Sequence, residues 1–251
     1  MTIGRYVAGE AHNKVYEAVM SMTQYRKPGI SFADMIRLRM SGAVSGECRD
    51  VYYAAHEDGK GFSRLWMGWG KHPDAIGNWG NFYTDESCRG QGLGKQMLDF
   101  WYQDLEKEKN PPLAFFCTAA TERLTRVYAR YGFVTALRGA SCGQLYKPMG
   151  DSPETFQAFC ERYYTPADLL LRRPARVEWR HEIDCLLKFA LLDCGEAFGI
   201  GDVESLEAAL LYCPERAALL FTPQGRCAGW QIDDTMQVYP CYRGLSVEEA
   251  R

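Results

Sequence analysis

A chain of 251 residues, 47% of them hydrophobic, is long and apolar enough to build a packed core in one large domain or two small ones. Its formal net charge of −3 argues against nucleic-acid binding, and no apolar run approaches the roughly 18 residues that cross a membrane. The N-terminus lacks a signal-peptide pattern and the ten cysteines form no Cys-x-x-Cys pair. We therefore expect a cytoplasmic protein with reduced, mostly buried cysteines and no metal site.

The first part of the chain predicts strands and two helices. A short strand is predicted at residues 5–7, followed by a helix over residues 11–25 and a second helix capped by Ser31. Runs of β-branched and aromatic residues then predict strands at residues 49–55, 64–70 and 78–84. A turn containing Asp58 and Gly59 joins the first two of these runs, so the three strands should be antiparallel.

A glycine-rich stretch follows the last of these strands and opens a helix that ends before Pro111. At such a strand-to-helix turn, backbone N–H groups converge at the positive end of a helix, which favours an anion such as pyrophosphate. The spacing is neither Gly-x-Gly-x-x-Gly nor followed by Gly-Lys-Ser/Thr, which disfavours dinucleotide and nucleotide-triphosphatase folds. The stretch consists of Arg89, Gly90, Gln91, Gly92, Leu93, Gly94 and Lys95.

A strand and a helix are predicted beyond the prolines. Residues 113–118 read as a short buried strand, and Thr121 caps a helix whose apolar face includes Val127 and Tyr128. Gly132 ends this helix, and residues 133–137 and 144–149 can form a closing hairpin.

Two stretches resemble motifs of the GNAT superfamily of N-acetyltransferases. Residues 89–94, Arg-x-x-Gly-x-Gly, resemble its acyl-CoA pyrophosphate loop, and residues 127–133, Val-Tyr-Ala-Arg-Tyr-Gly-Phe, resemble its Leu-Tyr-x-x-x-Gly-Phe signature. The two motifs stand in the family's order and at its separation. The resemblance implies an α/β (mixed α+β) GNAT fold over residues 1–149, with a mixed, mostly antiparallel central sheet flanked by helices.

The resemblance also implies a function and a site. The chain should transfer an acyl group, in the first place acetyl from the co-substrate acetyl-CoA, to a primary amine by direct attack in a ternary complex. Tyr128 should protonate the CoA sulfur, and a bulge in the fourth strand should make room for the pantetheine. The implied cofactor-binding residues are Phe82, Tyr83, Thr84, Arg89, Gly90, Gln91, Gly92, Leu93, Gly94, Lys95 and Thr121, where Thr121 replaces the family's usual asparagine.

Several alternatives stay open. No carboxylate lies in residues 78–81, where family members often carry a glutamate, so the general base is not identified. Asp85, Glu86, His72 and Asp74 are nearby candidates, and a water chain on Asn78 or Tyr83 is another. A non-catalytic CoA-binding sensor is the competing function. The amine acceptor, a small molecule or a protein or peptide, is unidentified, and a homodimer is one possible state.

Residues 150–251 form a predicted C-terminal α+β extension. Helices are predicted at residues 156–164, 181–192 and 202–213, with a basic stretch at residues 172–176 between the first two. Strands follow at residues 217–222, 226–231 and 236–239. The extension is either a degenerate half-repeat of the GNAT fold or an unrelated α+β cap. Ser246 and Glu248 stand where the first copy has Gly92 and Gly94, so a second copy should not hold CoA.

Overall fold

A computed structural model describes residues 1–23, 32–138, 143–196 and 214–250, without the side chains of residues 32–35 and 214. The chain packs into two compact units. The first consists of residues 1–71 and 77–112, and the second of residues 72–76 and 113–251. The boundary near residue 149 that the sequence suggests stays a prediction.

The first unit is built on an antiparallel meander. Each strand pairs with the next along the chain, so the predicted order of neighbouring strands is confirmed. The strands begin before the predicted positions because their backbone pairing continues into flanking polar residues. They are β1 (Thr2–Val7), β2 (Cys48–Glu57), β3 (Lys60–Gly70) and β4 (Ile76–Thr84), the first residue of which belongs to the second unit.

Helices cover both faces of this meander. They are α1 (Lys14–Ser21), α2 (Phe32–Met40) and α3 (Leu93–Leu105). Alternation along β2 sends Tyr52 into a buried cluster with Val19 of α1, while Tyr53 donates its hydroxyl to Asp104 of α3 at 2.8 Å. Helix α1 begins later than predicted because the Asn13 side chain accepts the first free N–H groups and caps it.

The second unit begins with three antiparallel strands, β5 (Ala114–Ala119), β6 (Val134–Arg138) and β7 (Gly143–Pro148), with β7 in the middle. Helix α4 (Glu122–Ala129) connects β5 to β6. Thr121 caps it, its hydroxyl accepting the N–H of Leu124 at 3.3 Å, and Gly132 follows it with φ +84°. The predicted strand, helix and closing hairpin are therefore confirmed.

A second, five-stranded sheet lies in the same unit. Its order is β11-β10-β9-β8-β12, and only the pairing of β8 with β12 is parallel. The chain is thus a mixed α+β protein with a C-terminal extension. The strands are β8 (Leu169–Pro174), β9 (Ala217–Phe221), β10 (Cys227–Ile232), β11 (Thr235–Val238) and β12 (Ser246–Glu249), and the helices are α5 (Phe156–Tyr163) and α6 (Lys188–Asp193).

Three expectations for this region are wrong. The basic stretch at residues 172–176 does not separate two helices: its first half lies in β8, where Leu170 is buried and Arg172 reaches Gln231 and Glu249. Residues 246–249 form β12 rather than the start of a loop. The helix predicted at residues 181–192 starts as a π-helix, Glu182–Leu187, before it continues as α6.

Strands β8 to β11 repeat the topology of β1 to β4. Both sets are antiparallel meanders, and the third strand of each has an extra residue near its start, Phe62 in β3 and Ala228 in β10. Both fourth strands lead into a 3₁₀ turn and then an Arg-Gly pair, whose glycines Gly90 and Gly244 have φ of +79° and +78°. The sets differ at the next step, where α3 follows the first and β12 the second.

Some predicted features lie outside the described residues: the Ser31 cap, the end of the first helix near residue 25 and the helix at residues 202–213. Within the described ranges, no helix has both the length and the apolar character needed to span a membrane.

Candidate functional site

Strand β4 carries the predicted bulge. Arg64 of β3 is paired with Tyr83, and Trp66 with Gly80, so one residue of β3 faces the two residues Asn81 and Phe82. Asn81 adopts φ +54°, a left-handed conformation that asparagine tolerates better than most residues. The bulge changes the direction of the backbone just before Tyr83 and Thr84, two of the residues predicted to contact the cofactor.

A short turn connects β4 to the glycine loop. The Asp85 carboxylate accepts the Ser87 N–H at 3.0 Å and so caps the 3₁₀ helix Glu86–Cys88. Gly90 and Gly92 both have φ +79°, and a Cβ atom added to either would meet no atom within 4 Å. A Cβ on Gly94 would lie 3.3 Å from the Phe82 ring. The first two glycines are therefore needed for conformation and open access, and the third for close packing against β4.

The backbone of this loop is suited to an anion. Within the described residues, no amide N–H from Gly90 to Lys95 donates a hydrogen bond to another backbone group. Helix α3 starts after Gly92, which supplies no capping side chain, and its first turn has no acidic residue. Free amides and the positive end of a thirteen-residue helix together favour a phosphate or pyrophosphate.

Two cations flank these amides. Arg89 donates to the Thr84 carbonyl and to Glu86, both at 3.1 Å, and Lys95 pairs with Asp99 at 2.6 Å. Both side chains are more than half exposed, and exposed ion pairs contribute about 1 kcal/mol at most. Either cation can therefore exchange its partner for a ligand phosphate at small cost.

The structure brings most of the predicted site residues together in the first unit. Phe82 packs against Gly94, and Arg89 contacts both Thr84 and Tyr83, with its guanidinium carbon 5.9 Å from the centre of the Tyr83 ring. Gln91 donates to the Ser87 carbonyl at 2.9 Å and braces the loop. Thr121 and Tyr128 belong to the second unit.

Tyr128 is a buried phenol. Only 4% of the side-chain surface is exposed, and the ring lies 6.2 Å from that of Phe133. Burial, with a smaller contribution from Cys117, raises the pKa of Tyr128 above its ordinary value of about 10. The hydroxyl is thus protonated at neutral pH and able to donate a proton.

A pocket of about 590 Å³ adjoins the end of β4 in the first unit. Tyr83 and Asp85 form the wall nearest the glycine loop. The remaining lining residues, none of which the sequence had indicated as a site, are Ser21, Met22, Lys60, Gly61 and Arg64. One signal was available for Arg64, because strand alternation puts this charge on the same face as the buried Trp66.

The candidate general bases divide by position. His72 and Asp74 are tied into the second unit, His72 beside the buried Glu182 and Asp74 in an ion pair with Arg226 at 2.7 Å. Asp85 lines the pocket, and Glu86 is highly exposed and paired with Arg89. Bonds from Ser87 hold the pKa of Asp85 below its ordinary value, which makes it a weak base.

Comparisons with known proteins agree with this geometry. Residues 48–135 match the model of a family described as an acetyltransferase (GNAT) domain. Comparison with curated proteins gave no match. Among solved structures, the chain is similar to an acyl-CoA N-acyltransferase from Pseudomonas aeruginosa at 16% identity, with a TM-score of 0.43, over 59% of this chain and 99% of that one.

A second similar structure is Escherichia coli ElaA, at 11% identity and a TM-score of 0.40, over 58% of this chain and 99% of that one. Similarities of this size say nothing about the reaction. The family match is more informative because it runs from the start of β2 into β6 and includes the bulge, the glycine loop and Tyr128. The chain therefore contains a domain of the GNAT acetyltransferase superfamily.

Proposed function

We propose that the chain transfers an acyl group, in the first place acetyl, from acyl-CoA to a primary amine. The observation that carries the proposal is the loop from Gly90 to Lys95, whose amides have no backbone acceptor within the described part and whose first two glycines leave open space. This loop fits a pyrophosphate, and CoA carries one. The family match over residues 48–135 supports the acyl transfer itself.

In the proposed reaction the amine nitrogen attacks the acyl carbonyl carbon directly. The carbon–nitrogen bond forms, the carbon–sulfur bond breaks with its electron pair going to sulfur, the sulfur takes up a proton and the nitrogen loses one. Tyr128 is the proposed proton donor, since its buried hydroxyl is protonated at neutral pH. Backbone N–H groups at Phe82, Tyr83 and Thr84 are the proposed partners of the carbonyl oxygen.

The experiment is a thiol-release assay on the full chain with acetyl-CoA and a panel of primary amines, both small amines and peptides. We expect CoA release that depends on an amine and exceeds the rate without one. A protein that binds acetyl-CoA but releases no thiol with any amine would instead support the competing function, a CoA-binding sensor. The absence of a carboxylate between Asn78 and Thr84 is the feature that keeps this alternative in view.

A further inference from the structure

Arg64 is the most unusual lining residue of the pocket beside β4. It is a charged residue with only 9% of its surface exposed, in the strand next to β4. Its Nη1 donates to the Met22 carbonyl at 2.8 Å and to the Thr23 hydroxyl at 3.1 Å. Among the described side chains, no carboxylate lies within ion-pair distance of Arg64, and its Nε has no hydrogen-bond partner.

A buried guanidinium without a counter-charge is costly. Burial lowers the pKa of Arg64, the direction expected when water is removed from a cation. Two neutral oxygen atoms on Nη1 satisfy only part of its hydrogen-bonding capacity. The opposite edge, formed by Nε and Nη2, has no acceptor among the described residues and has the fork geometry that takes a carboxylate or phosphate in two parallel hydrogen bonds.

The rest of the pocket is consistent with an anion that belongs to a larger molecule. Lys60 adds a second cation and forms no ion pair with a described carboxylate. The Tyr83 ring lies 5.8 Å from the Arg64 guanidinium carbon and 5.9 Å from that of Arg89 on the glycine loop. Asp85, at the wall nearest the loop, supplies the opposite charge. The pocket therefore offers two cations and, towards the loop, one anion.

We propose that this pocket binds the acyl acceptor, and that the acceptor carries an anionic group in addition to its amine, with Arg64 as the receptor for that group. The inference rests on the proposed function, because it names the class of molecule that receives the acyl group. The favoured class is amino acids and short peptides with a free carboxylate. A volume of about 590 Å³ is in the range of ligand pockets for molecules of this size.

The test compares amino acids with their carboxamides, which have the same shape but lack the negative charge, and adds O-phosphoethanolamine against ethanolamine as the phosphate arm. We expect kcat/KM for the charged member to exceed that for the neutral one by about tenfold or more, since hydrogen bonds to charged groups are strong. A preference in the first arm alone identifies a carboxylate, and in the second alone a phosphate. Equal rates within both pairs would overturn the proposal.

Variants locate the preference. Arg64→Met should reduce the ratio of charged to neutral rates to within about twofold, and Arg64→Lys should keep part of it because the charge remains. Arg39→Met is the matched control: Arg39 is also a buried arginine of the first unit, 5.3 Å over the Trp66 ring, but it does not line the pocket. A full preference in a folded Arg64→Met protein would contradict the assignment, as would its loss in Arg39→Met.

Binding separates this inference from the proposed function. Thermal unfolding of each variant with acetyl-CoA reports the cofactor loop, and thermal unfolding with amino acids or their carboxamides reports the pocket. A shift with acetyl-CoA, but no response to either acceptor class in shift or turnover, rejects the pocket assignment and leaves the loop assignment standing. No shift with acetyl-CoA, together with an Arg64-dependent shift with amino acids alone, rejects the proposed function and supports the anion receptor.

Discussion

His72 Nε2 lies 3.2 Å from Glu182 Oε1 in the interior of the second unit, where the same carboxylate oxygen accepts the N–H of Ile76 at 2.8 Å. The Trp179 ring stacks on His72 at 3.6 Å between ring centres. These contacts attach residues 72–76 to the second unit, although residues of the first unit precede and follow them in sequence. His72, a candidate base from the sequence, therefore has a structural role.

This pair makes stability depend on pH. Burial disfavours the charged imidazole, but the Glu182 carboxylate and the Pro73 carbonyl outweigh it and raise the pKa of His72 above its ordinary value of about 6.5. A raised pKa means that the pair's contribution is fully present below pH 6.5 or so and is lost as pH rises through the folded-state pKa. We expect the free energy of unfolding in urea to decrease across this range.

Glu182→Gln should flatten this pH dependence and cost about 2 kcal/mol or more at pH 6, because it removes one partner of a buried pair. His12→Gln is the control, since His12 is exposed and stacks on Tyr16 at 3.7 Å. An unchanged slope in Glu182→Gln would show that other groups cause the pH dependence.

Gly92→Glu should abolish acetyl-CoA binding, because the new carboxylate and its bulk would stand at the amides that start α3. Gly244→Glu is a matched control with nearly the same backbone, φ +78° against +79°, and equally open surroundings, in the second meander. Both changes should cost about 1–2 kcal/mol in stability because of the left-handed conformation. Isothermal titration calorimetry should detect binding only in the control; binding in both proteins would remove the loop assignment.

Tyr128→Phe should lower kcat by about a hundredfold or more while acetyl-CoA affinity changes little, because the phenol acts on the leaving sulfur and not on the pyrophosphate. Tyr131→Phe, in the turn that follows the same helix, is the control and should retain its kcat. A Tyr128→Phe protein with the rate of the unchanged chain would mean that Tyr128 is only a core residue.

The sequence allowed good prediction where local chemistry determines the structure. Gly90 and Gly92 adopt the left-handed conformation that glycine tolerates best, and Thr121 caps α4 as its hydroxyl and position predict. Alternating apolar residues located β2 to β4, and the resemblance to a known loop indicated the anion site. These features depend on neighbours within a few residues along the chain.

Features that depend on distant partners were missed. Strand β8 contains Arg172 and Arg173 and looks like a basic linker, until the pairing of Leu171 with Phe221 and of Glu248 with Leu171 becomes visible. Arg64 was taken as the polar start of a strand, because only the packing of α1 over β3 shows that its charge is buried. The cytoplasmic location, the homodimer and the cofactor roles of Thr121 and Lys95 stay predictions.

The most direct test of the acyl-CoA assignment is thermal unfolding of the full chain with and without acetyl-CoA. A ligand that binds only the folded protein adds about 2.7 kcal/mol at a hundredfold over its dissociation constant, which gives a clear increase in Tm. We predict this increase for the unchanged chain and for Gly244→Glu, and none for Gly92→Glu. An unchanged Tm in the unchanged chain at saturating acetyl-CoA would contradict the account.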